Sequence, residues 1–251
     1  MAPSVVDAPS PPVGLYVHFP FCVSICPYCD FVVLAGSDTR GPRNRIASYV
    51  DAVLTELDLR ADILDERFGR PGRTAGRRAP LASLYLGGGT PSLLAPDDLA
   101  GIVERVRRRF GLADGAEVTV EANPGPDERG DVFLQRDAGI SRISFGAQSF
   151  NAAELGQLGR RHSPGDVADA VDAARAAGIG SINIDLLYDV PGQSLASWTD
   201  SLERAIALGP DHLSLYALVL DDPDAEGLTG PSGDHLPTSA GARRWRERAR
   251  V

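Results

Sequence analysis

The sequence of 251 residues has no apolar run approaching the roughly 18–20 residues that a membrane-spanning helix needs. It also has no lysine: its 25 basic residues are all arginine and stand against 34 acidic residues, so the net charge is −9. A protein that binds the phosphate backbone of nucleic acid needs a basic face, and this charge argues against such a partner. Residues 1–12 lack the basic-then-apolar order of a secretory signal peptide, so we expect a cytoplasmic protein.

Cysteine is scarce as well. The three cysteines, Cys22, Cys26 and Cys29, lie within eight residues of each other, whereas a disulfide framework spreads its cysteines along the chain. The cluster therefore indicates a metal site. Three clustered thiolates suit a [4Fe-4S] cluster whose fourth iron stays open, because structural zinc usually takes four ligands in two pairs. A zinc site completed by a distant histidine, such as His162 or His212, is the alternative.

The rest of the chain is ordinary globular sequence, with 43% hydrophobic residues. Six β-type runs alternate with five helical patterns, which predicts parallel βα units with right-handed crossovers. A doubly wound sheet and a (β/α) barrel both fit this alternation, and both place ligands at the carboxyl ends of the strands. The predicted strands are 14–19, 83–86, 117–121, 142–147, 181–187 and 212–218, and the predicted helices are 46–68, 96–110, 127–138, 164–177 and 194–208.

A glycine motif, GGGTPS over residues 87–92, directly follows the second predicted strand. Glycines let the backbone approach a ligand and free its N–H groups for contact. Taken alone, the triplet is also explained by a tight turn between strand and helix.

Polar side chains stand at the ends of three further strands: Glu121, Gln148 and Asp185. A carboxylate within an apolar strand is costly to bury without a partner, so Asp185 needs a hydrogen-bond donor or an ion pair with Arg142 or Arg160. Because parallel strands end at one edge of a sheet, we interpret the set as a polar ligand pocket.

The C-x3-C-x2-C spacing after a first strand, with an aromatic residue before the last cysteine and a glycine motif after the next strand, resembles the radical S-adenosylmethionine (SAM) superfamily. The ordered series is similar to the branch that holds oxygen-independent coproporphyrinogen III dehydrogenases and HemW-type heme chaperones. The resemblance implies a partial (β/α)6 TIM-like barrel. It also implies a [4Fe-4S] cluster whose open iron chelates SAM, and cleavage of SAM to a 5′-deoxyadenosyl radical when the cluster is reduced.

The same resemblance assigns the site residues by position. The cluster would be held by Cys22, Cys26 and Cys29. Tyr16, at the end of the first strand, would lie against SAM, and the remaining contacts would come from the glycine motif and from polar strand ends. These SAM-binding residues would be Gly88, Gly89, Thr90, Glu121, Gln148, Arg160 and Asp185.

One position separates the two activities of this branch. The oxidase-type members carry a further cysteine two residues beyond the third, and Phe31 stands there in this chain. Phenylalanine resembles the chaperone type, which implies heme and acceptor hemoproteins as partners, together with an electron donor such as flavodoxin or ferredoxin. We therefore expect a heme chaperone. The alternatives are a coproporphyrinogen III oxidase and, from another class, a zinc-binding scaffold.

The family also carries a second domain after the barrel, with a His-Asn-x-x-Tyr-Trp motif that this chain does not contain. We expect a flexible tail over residues 1–13, one barrel over 14–220 and an irregular remainder of a truncated second domain over 221–251. His18 is the remaining heme-ligand candidate in the barrel.

Overall fold

Six parallel strands form a single sheet in the computed structural model, which describes residues 10–29, 31–36, 39 and 45–218. The strands are β1 (Gly14–Phe19), β2 (Leu81–Gly88), β3 (Leu112–Ala122), β4 (Arg142–Gln148), β5 (Ser181–Tyr188) and β6 (His212–Ala217). The helices are α1 (Ile46–Phe68), α2 (Pro96–Phe110), α3 (Val132–Asp137), α4 (Ala152–Gln157), α5 (Pro164–Ala176) and α6 (Leu195–Ala207).

The order of the strands decides between the two predicted architectures. Each strand pairs with the next one along the chain, in the order β1-β2-β3-β4-β5-β6, and every pair is parallel. A doubly wound sheet would reverse its strand order partway across. Within the described residues β1 and β6 are not paired with each other. The fold is therefore a partial (β/α)6 barrel, which confirms the predicted fold class.

The hydrophobic core lies between the sheet and the helices. In β3 the apolar side chains of Val118 and Val120 are buried in this core, while Thr119 and Glu121 alternate with them and face the barrel interior. The same alternation holds in β4, where Ile143 is fully buried. The outer face of the sheet thus supplies stability, and the inner face and carboxyl edge are left for polar groups.

Apart from shifts of one residue at some helix ends, the predicted helices differ from the observed ones at two places. Helix α3 begins at Val132 instead of residue 127, because the N–H groups of Glu128 and Arg129 both donate to the Gly125 carbonyl and form a turn. The six-residue helix α4 was not among the predicted helices. Its N-cap is Asn151, whose side chain accepts hydrogen bonds from the next turn.

The predicted segments at the two ends of the chain fall mostly outside the described residues, which leave out 1–9 and 219–251. The flexible tail and the irregular remainder therefore stay predictions. Within the part of the chain that the structure describes, no helix combines the length and the apolar character needed to cross a membrane.

Candidate metal centre and cofactor pocket

A cavity of about 430 Å³ opens at the carboxyl edge of the sheet. The loops after β1 and β2 and the ends of β3 to β6 form its walls. Ten of the eleven residues that the resemblance assigns to the cluster and to SAM line this cavity. They are Cys22, Cys26, Cys29, Gly88, Gly89, Thr90, Glu121, Gln148, Arg160 and Asp185.

The cysteine loop leaves the end of β1 and folds back beside it. The Cys22 N–H donates to the Leu34 carbonyl at 2.8 Å, and the Cys29 N–H donates to the Cys26 carbonyl at 3.0 Å. None of the three cysteines forms a disulfide. Burial raises the pKa of the Cys22 thiol to about 11, so this thiol keeps its proton at neutral pH until a metal displaces it.

Two side chains on other elements donate to the cysteine sulfurs. The Thr90 hydroxyl lies 3.7 Å from Cys22 Sγ, and the Arg160 guanidinium lies 3.6 Å from Cys26 Sγ. Hydrogen bonds to ligating sulfurs stabilise the negative charge of an iron–sulfur centre. Three soft thiol ligands with donors aimed at two of them therefore fit a [4Fe-4S] cluster.

Neither of the two histidines named for the zinc alternative is placed as a fourth ligand. His162 is buried, its Nε2 lies 3.0 Å from the Ala147 carbonyl, and burial lowers its pKa to about 4. His212 begins β6, at the opposite edge of the sheet from the cysteines. Among the described residues, no group of three or more His, Cys, Asp or Glu side chains is gathered as one ion requires. A single tetrahedral zinc ion would need its sulfur ligands about 3.8 Å apart, and the described residues show no grouping of that kind.

The glycine motif is shaped by close backbone contacts. Gly88 has φ 111°, and a Cβ there would lie 2.4 Å from the His18 ring. The Gly89 N–H donates to the Phe19 carbonyl at 2.7 Å, which ties the motif to the end of β1. The Gly88 N–H donates to Glu121 Oε2 at 2.9 Å. Glycine is required because the backbone, the histidine ring and the cysteine loop meet here.

Glu121 and Asp185 are carboxylates held by neutral donors. Glu121 accepts from the Tyr85 hydroxyl at 2.8 Å as well as from Gly88, and Asp185 accepts from the Ser144 hydroxyl at 3.0 Å. Burial raises the pKa of both carboxyl groups. Within the described residues neither Arg142 nor Arg160 forms an ion pair with Asp185, so hydrogen bonds provide the partners that the sequence required.

Gln148 is held in an unusual backbone conformation at the end of β4. Its φ is 67°, and the N–H of Ser149 donates to the Ala147 carbonyl at 2.8 Å, which closes a three-residue turn around it. A turn of this kind with a positive central φ is rare and strained, and such strain concentrates at ligand sites. The turn brings Gln148 to the cavity wall.

Arg160, between α4 and α5, joins the cysteine loop to β3 and β4. Besides Cys26, its guanidinium donates to the Gly146 carbonyl at 2.5 Å and to the side chain of Asn123, and its Nε is buried without a partner among the described residues. Asn123, which the sequence analysis did not single out, also contacts Thr90 at 3.4 Å. Its only signal was its place directly after the end of β3.

Tyr16 is the predicted SAM contact that does not line the cavity. It lies in the middle of β1 and not at its end, and it is 54% exposed. Its ring stacks on Tyr85 at 6.0 Å, and its hydroxyl bonds to His18 Nδ1 at 3.0 Å. His18 Nε2 in turn bonds to the Val32 carbonyl at 3.0 Å, so both ring nitrogens of this heme-ligand candidate are engaged.

Known proteins resemble this chain along most of its length. Residues 16–205 match the family described as the Radical SAM superfamily. The heme chaperone HemW of Mycobacterium tuberculosis is 38% identical over 220 residues, covering 87% of this chain and 53% of that protein. HemW of Escherichia coli is 36% identical over 250 residues, covering 94% of this chain and 61% of that protein. The chain spans about half the length of the curated relatives it matches.

Solved structures give the same grouping. The coproporphyrinogen III oxidase HemN of Escherichia coli, a radical SAM enzyme, has a TM-score of 0.72 and 27% identity, covering 96% of this chain and 52% of that chain. Methylornithine synthase PylB, at 15% identity and a TM-score of 0.52, shares the fold alone. The similarity covers 82% of this chain and 54% of that chain. The family implies a [4Fe-4S] cluster and SAM as cofactors. By the match over residues 16–205, the chain belongs to the radical SAM superfamily.

Proposed function

We propose that this chain is a HemW-type protein, which binds a [4Fe-4S] cluster and SAM and delivers heme to acceptor hemoproteins. One observation carries the cofactor part: the three cysteines, the glycine motif and the polar strand ends share a single cavity. The chaperone part is supported by relatives at 36–38% identity that are named heme chaperones. We also propose the cytoplasm as its location, with the bacterial relatives as support.

The residues of the cavity would divide the work between cluster and SAM. Cys22, Cys26 and Cys29 would each hold one iron, and the bound cluster would supply an electron to SAM. Gly88, Gly89 and Thr90 would contact the methionyl part, since their backbone lies beside the cysteine loop. Glu121 and Asp185 would accept hydrogen bonds from hydroxyl or amino groups, and Gln148 and Arg160 would close the wall. Tyr16 would flank SAM from β1.

Phe31 favours a chaperone over an oxidase. It lines the cavity, is 63% exposed and places no thiol where the oxidase-type members have one. The second candidate, an oxygen-independent coproporphyrinogen III oxidase, is favoured by the similarity to HemN over 96% of the chain. Under either candidate an electron donor such as flavodoxin or ferredoxin would reduce the cluster.

Anaerobic reconstitution of the whole chain tests the cofactor part. We expect about four iron and four sulfide per chain, and loss of both iron and SAM binding in Cys26→Ala. A stoichiometry near one zinc without iron would instead support the zinc scaffold. Cys26→Ala that kept its cluster would contradict the ligand assignment.

Heme transfer tests the chaperone part. The reconstituted chain is titrated with hemin, and the complex is then mixed with an acceptor apo-hemoprotein whose Soret band reports uptake. We expect transfer from the chain and no turnover of coproporphyrinogen III. Turnover of coproporphyrinogen III without heme transfer would establish the second candidate.

A further inference from the structure

A network of hydrogen-bonded polar side chains fills the barrel interior directly beneath the cavity. Because side chains alternate along a strand, Ser144 in β4, Asn183 and Asp185 in β5, and His212 and Ser214 in β6 all face inward. Asn183 lies at the centre of this network and is only 1% exposed. It does not line the cavity, and the resemblance assigns it no role.

Every hydrogen-bonding group of Asn183 is in use. Its Nδ2 lies 2.7 Å from both Asp185 Oδ1 and Ser144 Oγ and 3.0 Å from Ser214 Oγ. Its Oδ1 accepts from His212 Nδ1 at 2.8 Å and from the Ser214 hydroxyl at 3.2 Å. An amide has two donor hydrogens and two acceptor lone pairs, and these contacts occupy all of them, which fixes the orientation of the amide across three strands.

The network in turn fixes the orientation of the Asp185 carboxylate. Asn183 holds Oδ1, and the Ser144 hydroxyl, itself held by Asn183, binds Oδ2 at 3.0 Å. The Ser214 hydroxyl also hydrogen-bonds to this carboxylate, so donors from below hold both oxygens and the group cannot rotate freely. Its remaining lone pairs face the cavity that it lines. A carboxylate ordered in advance binds a donor with a smaller loss of entropy.

We infer that Asn183 is a positioning residue, which orients Asp185 as an acceptor for a hydroxyl or amino group of SAM. This inference rests on the proposed function, since it takes SAM as the ligand of the cavity. The amide can do this whereas a carboxylate or an apolar side chain cannot, because Asp185 needs a donor that carries no charge of its own at this depth.

The test compares two isosteric substitutions in the barrel interior. Asn183→Leu removes the donors to Asp185, whereas Thr119→Val removes a hydroxyl that is equally buried in β3 but contacts Glu117 instead. After reconstitution, SAM affinity is measured by equilibrium dialysis, with iron per chain as the control for cluster assembly. We expect Asn183→Leu to weaken SAM binding about tenfold or more and Thr119→Val to leave it within about twofold, with the iron content unchanged in both.

A double-mutant cycle separates positioning from general damage. If Asn183 acts through Asp185, Asn183→Leu adds little to the loss caused by Asp185→Asn, whereas independent effects would add. Asn183→Asp is the second variant should the leucine variant fold poorly, since it keeps the shape and the acceptor but places a carboxylate against Asp185. We expect it to weaken SAM binding at least as much.

Three outcomes decide the matter. Variants of Asn183 that bind SAM like Thr119→Val would overturn the positioning role while leaving the proposed function intact. Additive losses in the cycle would overturn it as well. A wild-type chain that assembles its cluster and binds no SAM would overturn the proposed function and the inference with it.

Discussion

Gly88 and Gly101 differ in what surrounds the space where a side chain would stand. At Gly88 a Cβ would lie 2.4 Å from the His18 ring, and φ is 111°; at Gly101, inside α2, nothing lies within 4 Å. We expect Gly88→Ala to cost about 2 kcal/mol of unfolding free energy, because strain and overlap add. Gly101→Ala should gain about 0.5–1 kcal/mol. Urea unfolding of both variants checks this, and equal effects would contradict it.

Asp185 should make stability fall as the pH rises. Burial raises the pKa of its carboxyl group in the folded chain, so between the unfolded and the folded pKa the native state binds more protons. The free energy of unfolding therefore decreases through that window. Asp185→Asn removes this contribution. It also removes the part of the rise in the Glu121 pKa that comes from the Asp185 charge, which changes the difference in the same direction.

We accordingly expect the stability of Asp185→Asn relative to the wild-type chain to improve as the pH rises above 3.8, the ordinary pKa of an aspartate carboxyl group. Urea unfolding of the metal-free proteins at several pH values measures this difference. A difference that stayed constant, or moved the other way, would show that the carboxylate is stabilised by its neutral donors more than it is penalised by burial.

At the scale of elements, one arginine links the loop between α1 and β2 to the end of α2. Arg78 is 3% exposed and pairs with Asp65 at 2.9 Å. It also donates at 2.8 Å to the carbonyl of Phe110, the last residue of α2, and this carbonyl has no partner within α2. We expect Arg78→Met to cost about 3 kcal/mol, because it leaves the Asp65 carboxylate with only the exposed Arg70 at 3.9 Å and the Phe110 carbonyl without its donor. Arg70→Met, eight residues earlier on an 81% exposed side chain, is the matched control and should stay within about 0.5 kcal/mol.

The same loop shows where elements could not be predicted from the sequence. Residues 69–80 contain four arginines that look alike in a glycine- and proline-rich segment, and only the packed structure separates the buried Arg78 from exposed neighbours such as Arg77. The sequence indicated only a short helical stretch between Gln148 and Arg160 and could not give bounds for helix α4, because six residues are too few for a periodic apolar pattern. Its formation depends on Asn151 and on tertiary packing.

At the scale of the whole molecule, the site was largely predictable because the fold is parallel. Polar residues at the ends of different strands meet at one edge whatever the loops do, so Glu121, Gln148 and Asp185 could be grouped before any coordinates. Residues that act from within a strand could not be recognised in this way. Asn183 reads as one polar residue in an apolar run, and its role depends on Ser144 and His212, 39 and 29 residues away in the chain.

Removal of the metal should therefore leave the molecule folded. The buried apolar residues lie between the sheet and the helices, whereas the cysteines lie in a loop beyond β1 that contributes little to this core. Small metal domains whose core depends on the ion unfold when it is removed, but this chain has a core of its own. Iron is stripped from the reconstituted protein by a chelator under reducing conditions, and hydrogen exchange and far-UV circular dichroism are recorded before and after.

We expect the circular dichroism spectrum and the cooperative thermal transition to persist, and hydrogen-exchange protection to fall only in the cysteine loop and the glycine motif that donates to Phe19 and Phe21. Cys26→Ala provides the control, since it should reproduce the exchange pattern of the stripped protein without chelator. Loss of protection across α2 and β3, which lie in the core, would instead show that the cluster holds the whole barrel together.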